Sequence, residues 1–251
     1  MKGLAGQRVV VTGGARGIGE AIAKRLGEEG ATVAVLDLNG EGAEATAAAI
    51  RAAGGAAHAY TADITDPDAV EQAIAGFTDA AGAITGLVNN AGWDKAVSFL
   101  DTDRELWRKV IDINLYGPLN VSQAVLKRMV ATGGGRVVNI ASDAGREGSS
   151  GEAVYSACKG GMIAFAKTVA RELARKGVTV NTVCPGPTDT ALLAGFDPDG
   201  RLIEALKRAI PLRRLGQPAD YPGIVAFLLS DDAAFITGQT ISVSGGLSMQ
   251  S

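Results

Sequence analysis

Residues 7–38 read Q-R-V-V-V-T-G-G-A-R-G-I-G-E-A-I-A-K-R-L-G-E-E-G-A-T-V-A-V-L-D-L, and this stretch decides the fold. Residues 7–12 and 32–38 are apolar runs typical of buried strands, and the segment between them has apolar residues at helix spacing. The glycine-rich residues 13–19 therefore join a strand to a helix, and Asp37 follows Gly17 by twenty residues. That context is typical of a dinucleotide-binding loop, in which glycines let the backbone approach a pyrophosphate and the helix N-terminus supplies N–H donors.

The same alternation of strand and helix continues to the end of the chain. Further strands are predicted at 56–61, 86–89, 135–141, 179–184 and 239–243. Helices are predicted at 40–53, 67–81, 102–129 (interrupted near Gly117-Pro118), 154–176 and 218–230, with 197–215 partly helical. Alternating elements of this kind predict an α/β fold, a single-domain Rossmann-like doubly wound parallel sheet over residues 1–251.

Composition excludes several classes of function. The chain has 251 residues, 47% of them hydrophobic and 20% charged, with a net charge of −3 and no basic block. We therefore expect no nucleic-acid partner. No apolar run is long enough for a membrane span, and no signal peptide is visible, so a cytoplasmic protein with reduced Cys158 and Cys184 is predicted. A single histidine, His58, argues against a metal site and against a Ser-His-Asp triad.

A second informative stretch is residues 142–159, S-D-A-G-R-E-G-S-S-G-E-A-V-Y-S-A-C-K. Tyr155 and Lys159 are four residues apart, and on a helix that spacing places both side chains on one face. A phenol normally loses its proton near pH ~10, and a nearby ammonium favours the phenolate. We therefore expect Lys159 to lower the pKa of Tyr155 and to make Tyr155 a usable acid/base. Ser142 follows the strand 135–141, where its hydroxyl can bond the substrate oxygen that Tyr155 protonates or deprotonates.

Candidate binding residues follow the ends of several strands. In open parallel sheets, ligands bind beyond the carboxyl ends of the strands. Residues directly after strand ends should therefore line one crevice: Gly13, Asp37, Asp63, Asn90, Ser142 and Pro185.

Motifs over nearly the whole chain resemble those of the short-chain dehydrogenase/reductase family. They are T-G-G-A-R-G-I-G (12–19), Asp63, N-N-A-G (89–92), Asn114, Ser142, Y-S-A-C-K (155–159) and P-G-P-T-D-T (185–190). The resemblance implies hydride transfer at a nicotinamide C4 and a catalytic set of Asn114, Ser142, Tyr155 and Lys159. Asn114 would hold a water in a proton relay, Ser142 would orient the substrate oxygen, and Lys159 would bond the nicotinamide ribose.

The glycine-rich loop and the family motifs together predict the cofactor-binding residues. Asp63 resembles the residue that contacts the adenine amine, and Thr188 and Thr190 resemble residues near the carboxamide. The full set is Gly13, Arg16, Gly17, Ile18, Gly19, Asp37, Leu38, Asp63, Ile64, Asn90, Ala91, Gly92, Tyr155, Lys159, Pro185, Gly186, Thr188 and Thr190. No metal ligand is predicted.

Asp37 predicts the choice of cofactor. A carboxylate at the end of the second strand accepts hydrogen bonds from a ribose 2′-OH and repels a 2′-phosphate. We therefore expect NAD, with NADP less favoured. Arg16 in the glycine loop is the one residue that could meet a 2′-phosphate, and beside Asp37 we expect it to be solvated or to face the pyrophosphate.

Narrower motifs are similar to those of 2-hydroxycyclohexanecarboxyl-CoA dehydrogenases, and they imply a β-hydroxyacyl-CoA thioester as the small-molecule substrate. The motifs are N-A-G-W-D (90–94), S-S-G-E-A-V-Y-S-A-C-K-G-G (149–161), V-C-P-G-P-T-D-T-A-L-L (183–193) and S-V-S-G-G-L-S-M (242–249). Trp93 could wall an apolar ring, or it could belong to the core. Other residues are predicted to close over the substrate (Leu192, Leu193, Phe196) or to attract CoA phosphates (Lys95, Arg146, Lys207, Arg208, Arg213, Arg214).

The sequence is also compatible with other activities. One is a 3-oxoacyl-[acyl-carrier-protein] reductase, with Arg128 and Arg175 available to an acidic carrier protein, although that family is usually NADP-linked. Another is a polyol or sugar dehydrogenase, and a non-enzymatic NAD sensor is disfavoured because the catalytic set is complete. The family also implies a homotetramer that packs through the helices at 102–130 and 153–176. Asp143 departs from the small or hydroxyl residue often found after the serine, and its role is open.

Overall fold

All strands that the structure describes lie in one parallel sheet. The structure is a computed structural model, and it describes residues 1–195 and 200–249. The order across the sheet is β3-β2-β1-β4-β5-β6-β7. The strands are β1 Arg8–Thr12, β2 Thr32–Asp37, β3 Ala56–Thr61, β4 Gly86–Asn89, β5 Gly135–Ile140, β6 Val178–Pro185 and β7 Thr240–Val243. The prediction of a Rossmann-like doubly wound parallel sheet is confirmed.

Helices cover both faces of the sheet. The helices are α1 Gly17–Glu28, α2 Gly40–Ala52, α3 Pro67–Ala81, α4 Arg104–Ile111, α5 Gly117–Ala131, α6 Ala144–Glu147, α7 Ala153–Leu173, α8 Ala191–Ala194, α9 Arg201–Ala209 and α10 Pro222–Leu229. Helix α3 begins with a side-chain cap. Pro67 occupies its first turn, and the Asp66 carboxylate accepts hydrogen bonds from two N–H groups of that turn. Such caps satisfy donors that have no partner within the helix.

Side chains of β1 alternate between two hydrophobic cores. Val9 and Val11 pack into the core that α1 and α10 cover, together with Ile22. Val10 points the other way, into the core that α3, α5 and α7 cover, together with Phe77. Because successive side chains of a strand leave opposite faces, a strand covered on both sides must be apolar throughout. The V-V-V run therefore positions β1 in the middle of the sheet.

The strand order reverses beside β1, which pairs with β2 on one side and with β4 on the other. The crossover from β1 through α1 leads to one half of the sheet, and β4 begins the other half. A crevice therefore opens between the loops that follow β1 and β4, at the edge where ligands bind in such sheets.

The long helix predicted at 102–129 is interrupted earlier than expected. A π-helical segment, Asp112–Tyr116, joins α4 to α5, whereas the prediction placed the break near Gly117-Pro118. Pro118 lies in the first turn of α5, where a missing N–H costs little. Gly117 is there for close packing, because a Cβ on it would lie 2.6 Å from Ile64 Cδ1. The widened turn carries Asn114, and such π segments are frequent at functional sites.

Apolar residues on a helix predicted for oligomer contacts are largely buried within the chain itself. On α7, one of the helices implied for the homotetramer contact, Val169 is 8% exposed and lies within the second core, and Phe165 packs against that core. The homotetramer stays a prediction.

Both cysteines, Cys158 and Cys184, are buried free thiols, as predicted. Among the described residues, no helix has the length and apolar character that crossing a membrane requires.

Candidate active site

The glycine-rich loop leaves the backbone open at the start of α1. Gly13 and Gly17 have positive φ values of 64° and 61°, which favour glycine. A Cβ on Gly17 would meet nothing within 4 Å, whereas one on Gly19 would lie 2.1 Å from the Gly13 oxygen. The exposed Arg16 at the N-cap makes no side-chain hydrogen bond to the first turn. Gly17 and Ile18 therefore present the positive end of a 12-residue helix to the crevice.

Asn90 fastens this loop to the end of β4. Its side-chain Nδ2 donates to the backbone oxygens of Thr12 and Gly13, at 3.0 Å each. In return, the Thr12 hydroxyl accepts from the backbone N–H groups of Asn90 and Ala91, at 3.0 and 3.1 Å. The crevice floor is therefore a closed network of four hydrogen bonds, and the predicted residues Gly13, Asn90 and Ala91 lie together there.

Asp37 lies at the end of β2 and faces the same loop. Its Oδ2 accepts from the Ala15 N–H at 3.0 Å, and its Oδ1 accepts from the Asn39 N–H at 2.9 Å. A carboxylate has about four acceptor positions, so each oxygen retains capacity for a further donor. Leu38 beside it is 70% exposed. The carboxylate is therefore held in place rather than free to rotate away from the crevice.

Asn114 is fully buried, and its amide is bonded to the backbone of Trp93. Oδ1 accepts from the Trp93 N–H at 3.2 Å, and Nδ2 donates to the Trp93 oxygen at 2.6 Å and to the Val110 oxygen at 2.9 Å. A Cβ on Gly92 would lie 2.9 Å from Asn114 Oδ1 and 3.4 Å from Lys159 Nζ. Gly92 therefore lies within close reach of both polar side chains.

Lys159 is 4% exposed, and its ammonium donates to the Ile140 oxygen at 3.1 Å. Burial lowers the pKa of Lys159 to about 8. The ammonium lies 5.4 Å from the centroid of the Tyr155 ring. The sequence does not reveal Ile140 as a partner, because its acceptor is a backbone oxygen at the end of β5.

Tyr155 and Ser142 are neighbours, as predicted, but the expected fall in the Tyr155 pKa is wrong for this structure. Burial raises the pKa of Tyr155, the negative charge of Glu152 raises it further, and a hydrogen bond with Ser142 lowers it only in part. The Ser142 hydroxyl also accepts from the Ala144 N–H at 3.1 Å. The physical reason is that burial disfavours the charged phenolate, and the negative charges of Glu152 and Asp94 disfavour it as well. Tyr155 is therefore held as a phenol.

The residues after β6 form the far wall of the crevice. The Pro185 oxygen accepts from the Asp143 N–H at 3.0 Å, and the Gly186 N–H donates to Val243 at 3.1 Å. The buried Thr188 hydroxyl bonds the Gly186 oxygen at 2.8 Å and the Tyr221 hydroxyl, so it faces the core. Thr190 caps α8.

Asp143, the residue whose role was open, is buried and bonded. Its Oδ1 accepts from the Ser242 hydroxyl at 2.5 Å, and Arg146 donates to the same hydroxyl at 2.8 Å. It thus links the end of β5 to β7.

The predicted adenine-side residues lie beyond β3, apart from Tyr155 and Ser142. Asp63 is exposed beyond β3, and its Oδ1 accepts from the Thr65 N–H and hydroxyl, at 2.8 Å each. Ile64 is buried, and its oxygen accepts from Asn120. Since β3 lies beyond β2 in the sheet, these residues extend the crevice past Asp37. No group of three or more metal-ligating side chains occurs in the described ranges.

Sequence reasoning missed two acids at the site, Asp94 and Glu152. Asp94 is 5% exposed, and Glu152 is the residue before α7. Burial raises the pKa of Asp94 to about 6, and the charge of Glu152 raises it as well. Both acids lie within the quoted motifs N-A-G-W-D and G-E-A-V-Y. The signal that could have found them is an acid within each of the two motifs that carry Gly92 and Tyr155.

Trp93 and several of the predicted phosphate-binding cations contact charged side chains. Trp93 is only partly buried, and the exposed Lys109 ammonium lies 4.0 Å from the centroid of its ring, so it is not a core residue. Lys207 is paired with Glu204, and Arg214 is paired with Asp220. Arg128 is paired with Glu71. Leu193 is partly buried, whereas Phe196 and the side chain of Leu192 lie outside the described residues.

Comparison with known proteins identifies the family. The family model described as Enoyl-(Acyl carrier protein) reductase matches residues 13–248. A 3-oxoacyl-[acyl-carrier-protein] reductase of Synechocystis sp. is 43% identical over 251 residues, which cover 99% of this chain and 100% of that protein. The chain is a short-chain dehydrogenase/reductase. A protein of the same name as the Synechocystis relative, from Vibrio cholerae, is 38% identical over 98% of this chain and 99% of its own length.

Solved structures agree with this family. A protein from Sinorhizobium meliloti, described as a candidate short-chain alcohol dehydrogenase, superposes with a TM-score of 0.93 at 36% identity, covering 97% of this chain and 96% of that one. An NAD+-bound xylitol dehydrogenase gives 0.92 at 34% identity, covering 98% and 100%. This short-chain dehydrogenase/reductase is an enzyme that interconverts a secondary alcohol and a ketone with a nicotinamide cofactor.

Proposed function

We propose that this enzyme reduces 3-oxoacyl thioesters, as a 3-oxoacyl-[acyl-carrier-protein] reductase, and that it uses NADH. The observation that carries the substrate class is full-length similarity to proteins of that name at 43% and 38% identity. This substrate is favoured over a cyclic CoA thioester because both relatives are named for carrier-protein substrates. The catalytic set is Asn114, Ser142, Tyr155 and Lys159.

The cofactor would lie along the crevice from β3 to β6. The open backbone at Gly17 and the uncapped start of α1 fit a pyrophosphate. The fixed Asp37 carboxylate fits a ribose diol and repels a 2′-phosphate, which favours NAD over NADP. Asp63 and Ile64 would border the adenine, and Asn90, Ala91 and Gly92 would line the floor. Residues from Pro185 to Thr190 would border the nicotinamide, Thr188 through its backbone because its hydroxyl faces Tyr221.

Tyr155 serves as the general acid for reduction. A bound nicotinamide supplies the hydride that adds to the carbonyl carbon. The Tyr155 hydroxyl then donates its proton to the oxygen that gains negative charge, and the Ser142 hydroxyl holds that oxygen by a hydrogen bond. Because burial raises the Tyr155 pKa, the phenol is the populated form at neutral pH, and the residue is ready to donate.

Lys159 and Asn114 support this proton transfer. The Lys159 ammonium, beside the Tyr155 ring, stabilises the phenolate that remains after donation. Asn114 fixes the Trp93 backbone beside Gly92 and would place a water that returns a proton toward Tyr155. In this scheme the two residues act on Tyr155 rather than on the substrate carbon.

A second candidate is a β-hydroxyacyl-CoA dehydrogenase that works in the oxidative direction, such as one acting on 2-hydroxycyclohexanecarboxyl-CoA. Asp37 favours it, because NAD is the usual cofactor of oxidation, and the partly exposed Trp93 is free to contact an apolar ring. Lys207 and Arg214 are already paired with acids, which disfavours the prediction that they bind CoA phosphates.

Steady-state assays separate these candidates. The wild-type enzyme is given acetoacetyl-acyl carrier protein or acetoacetyl-CoA with NADH or NADPH, and 2-hydroxycyclohexanecarboxyl-CoA or xylitol with NAD. The highest kcat/KM is expected with the carrier-protein substrate and NADH. A higher kcat/KM for either CoA substrate favours the second candidate, and turnover of xylitol alone would contradict both. Equal use of NADPH would contradict the role given to Asp37.

A further inference from the structure

Two carboxyl groups from different segments meet beside Tyr155. Asp94 follows β4, and Glu152 precedes α7. The two segments are joined where the Val97 N–H donates to the Gly151 oxygen at 2.9 Å, and a Cβ on Gly151 would lie 3.7 Å from Ala96 Cβ. The fold therefore brings the acids together, although 58 positions separate them in the sequence.

The Asp94 carboxyl is nine-tenths buried, and one of its oxygens has no protein donor. Asp94 is 5% exposed, and its Oδ2 has no hydrogen-bond donor among the described residues. The Glu152 carboxyl is near enough for its negative charge to raise the pKa of Asp94. Burial and the charge of Glu152 raise the pKa of Asp94 to about 6, so Asp94 carries a proton below that pH and a negative charge at pH 7.5.

This charge faces the reacting end of the site. Glu152 is the N-cap of α7, its backbone oxygen accepts from the Ser156 N–H at 2.7 Å, and its charge raises the pKa of Tyr155 in the first turn. The other charged or titratable groups around Asp94 are Lys159, which attracts its negative charge, and the Cys158 thiol, whose pKa both burial and Asp94 raise. Lys95 contributes a backbone N–H to Asp94. The Lys159 ammonium is bonded to Ile140, so it does not pair directly with the carboxyls.

The chain neighbours of Glu152 line an open surface cleft. Gly151 and Ala153 line an open cleft of about 510 Å³, together with the segment 96–99. Since Glu152 lies between Gly151 and Ala153 in the chain, the carboxyl pair is next to this cleft.

We propose that Asp94 and Glu152 form a carboxyl pair that holds negative charge beside the Tyr155 hydroxyl and excludes ketones bearing a neighbouring carboxylate. The pair is a specificity determinant, and it rests on the proposed ketone reduction. It admits 3-oxo esters and thioesters, whose acyl end is neutral, and it rejects the free 3-oxo acids. A thioester is thereby distinguished from its hydrolysis product without any contact to the carrier.

The test compares two small ketones that differ only in this charge, ethyl acetoacetate and acetoacetate, with NADH at pH 7.5. The variants are Glu152→Gln and Asp94→Asn, and the matched control is Glu147→Gln, which removes an exposed charge from α6. In the wild type, kcat/KM should favour the ester strongly. This preference should fall about tenfold in either variant and change less than about twofold in the control.

A pH series gives a readout that a purely structural role would not change. In the wild type the preference should decline from pH 7.5 toward pH 5.5, as Asp94 takes up a proton, and the decline should be absent in the double variant. The proposal is wrong if wild type reduces acetoacetate as readily as the ester, or if Glu147→Gln has the same effect. It is also wrong if the variants lose both activities equally while their circular dichroism is native.

These outcomes are separate from those that test the proposed thioester substrate. An enzyme that reduces ethyl acetoacetate but no acyl-carrier-protein or CoA thioester would refute the proposed function. The effect of the carboxyl pair on the preference for ester over acetoacetate could still be measured. An enzyme that reduces thioesters with an unchanged ester preference in both variants would keep the function and refute the pair. Reduction of neither small ketone would count against the pair, because the site would then not admit the neutral compound.

Discussion

The Asn114 side chain and the Trp93 backbone bond each other twice, with Oδ1 accepting from the Trp93 N–H at 3.2 Å and Nδ2 donating to the Trp93 oxygen at 2.6 Å. Asn114 lies in the π segment and Trp93 in the loop after β4, so one amide connects a helix to the crevice floor. Its removal should disturb both the loop and the catalytic set.

Asn114→Ala should lower both stability and activity. Loss of the amide leaves the buried N–H and oxygen of Trp93 without partners, at a cost of about 2–4 kcal/mol in the free energy of unfolding. The matched control is Asn181→Ala, because buried Asn181 also bonds a backbone oxygen (Ile236) and a backbone N–H (Gln239), away from the proposed site. Urea unfolding should show similar losses in both variants, and kcat should fall only in Asn114→Ala. An equal fall in kcat would remove Asn114 from the catalytic set.

Gly92→Ala should inactivate the enzyme while it stays folded. The added Cβ would lie 2.9 Å from Asn114 Oδ1, so that side chain must shift, and it would touch Lys159 Nζ at 3.4 Å. Displacement of about 1 Å at a reacting centre costs about a hundredfold in rate. Gly223→Ala on α10 is the control, because its Cβ would meet nothing within 4 Å. Near-normal kcat in Gly92→Ala would show that the close approach is unimportant.

Asp37→Asn should weaken the preference for NAD. Asparagine can still accept from the Ala15 N–H, so the glycine loop keeps its anchor while the charge that repels a 2′-phosphate is lost. The ratio of kcat/KM for NADH over NADPH should fall about tenfold. Glu41→Gln, which removes an exposed charge from the first turn of α2, should leave that ratio unchanged.

Lys159→Met should abolish activity and raise stability at neutral pH. The folded-state pKa of Lys159 is about 8, against an ordinary value of 10.5. Below pH 8 the buried ammonium disfavours folding, and this penalty disappears as the pH rises from 8 to 10.5. The melting temperature of the variant should exceed that of wild type by about 3 °C at pH 7, and the difference should shrink toward pH 10. Lys167→Met, exposed on the same helix, should show neither effect; a lower melting temperature for Lys159→Met at pH 7 would refute the sign.

Asp94→Asn should stabilise the protein at pH 8 and have little effect at pH 4. The folded-state pKa of Asp94 is about 6, above the ordinary 3.8. The carboxyl therefore favours folding below pH 3.8, and that contribution is lost as the pH rises through 6. Thermal melts of wild type and variant at both pH values measure the difference. Glu105→Gln, at an exposed acid of α4, gives the baseline.

Local patterns in the sequence predict the strands well and the long-range contacts poorly. Apolar runs and their turns locate β1, β2 and β4 within one or two residues, and the four-residue spacing places Tyr155 above Lys159. The π segment at Asn114 could not be predicted, because it depends on how α4 and α5 pack against Ile64 and Trp93. The direction of the Tyr155 pKa was missed for a similar reason: burial and the Glu152 charge depend on the tertiary structure, whereas the Lys159 spacing is local.

The hydrogen bond from Asn90 to the Gly13 oxygen spans 77 positions of the chain. During synthesis the segment containing β1, α1 and β2 emerges first, but the floor of its glycine loop is missing until β4 has been made and has entered the sheet next to β1. Pairing over such a distance is slow relative to local helix formation. A nascent chain shorter than about ninety residues therefore cannot be stabilised by binding nicotinamide dinucleotide. Only a chain that includes β4 can be protected from degradation by this ligand.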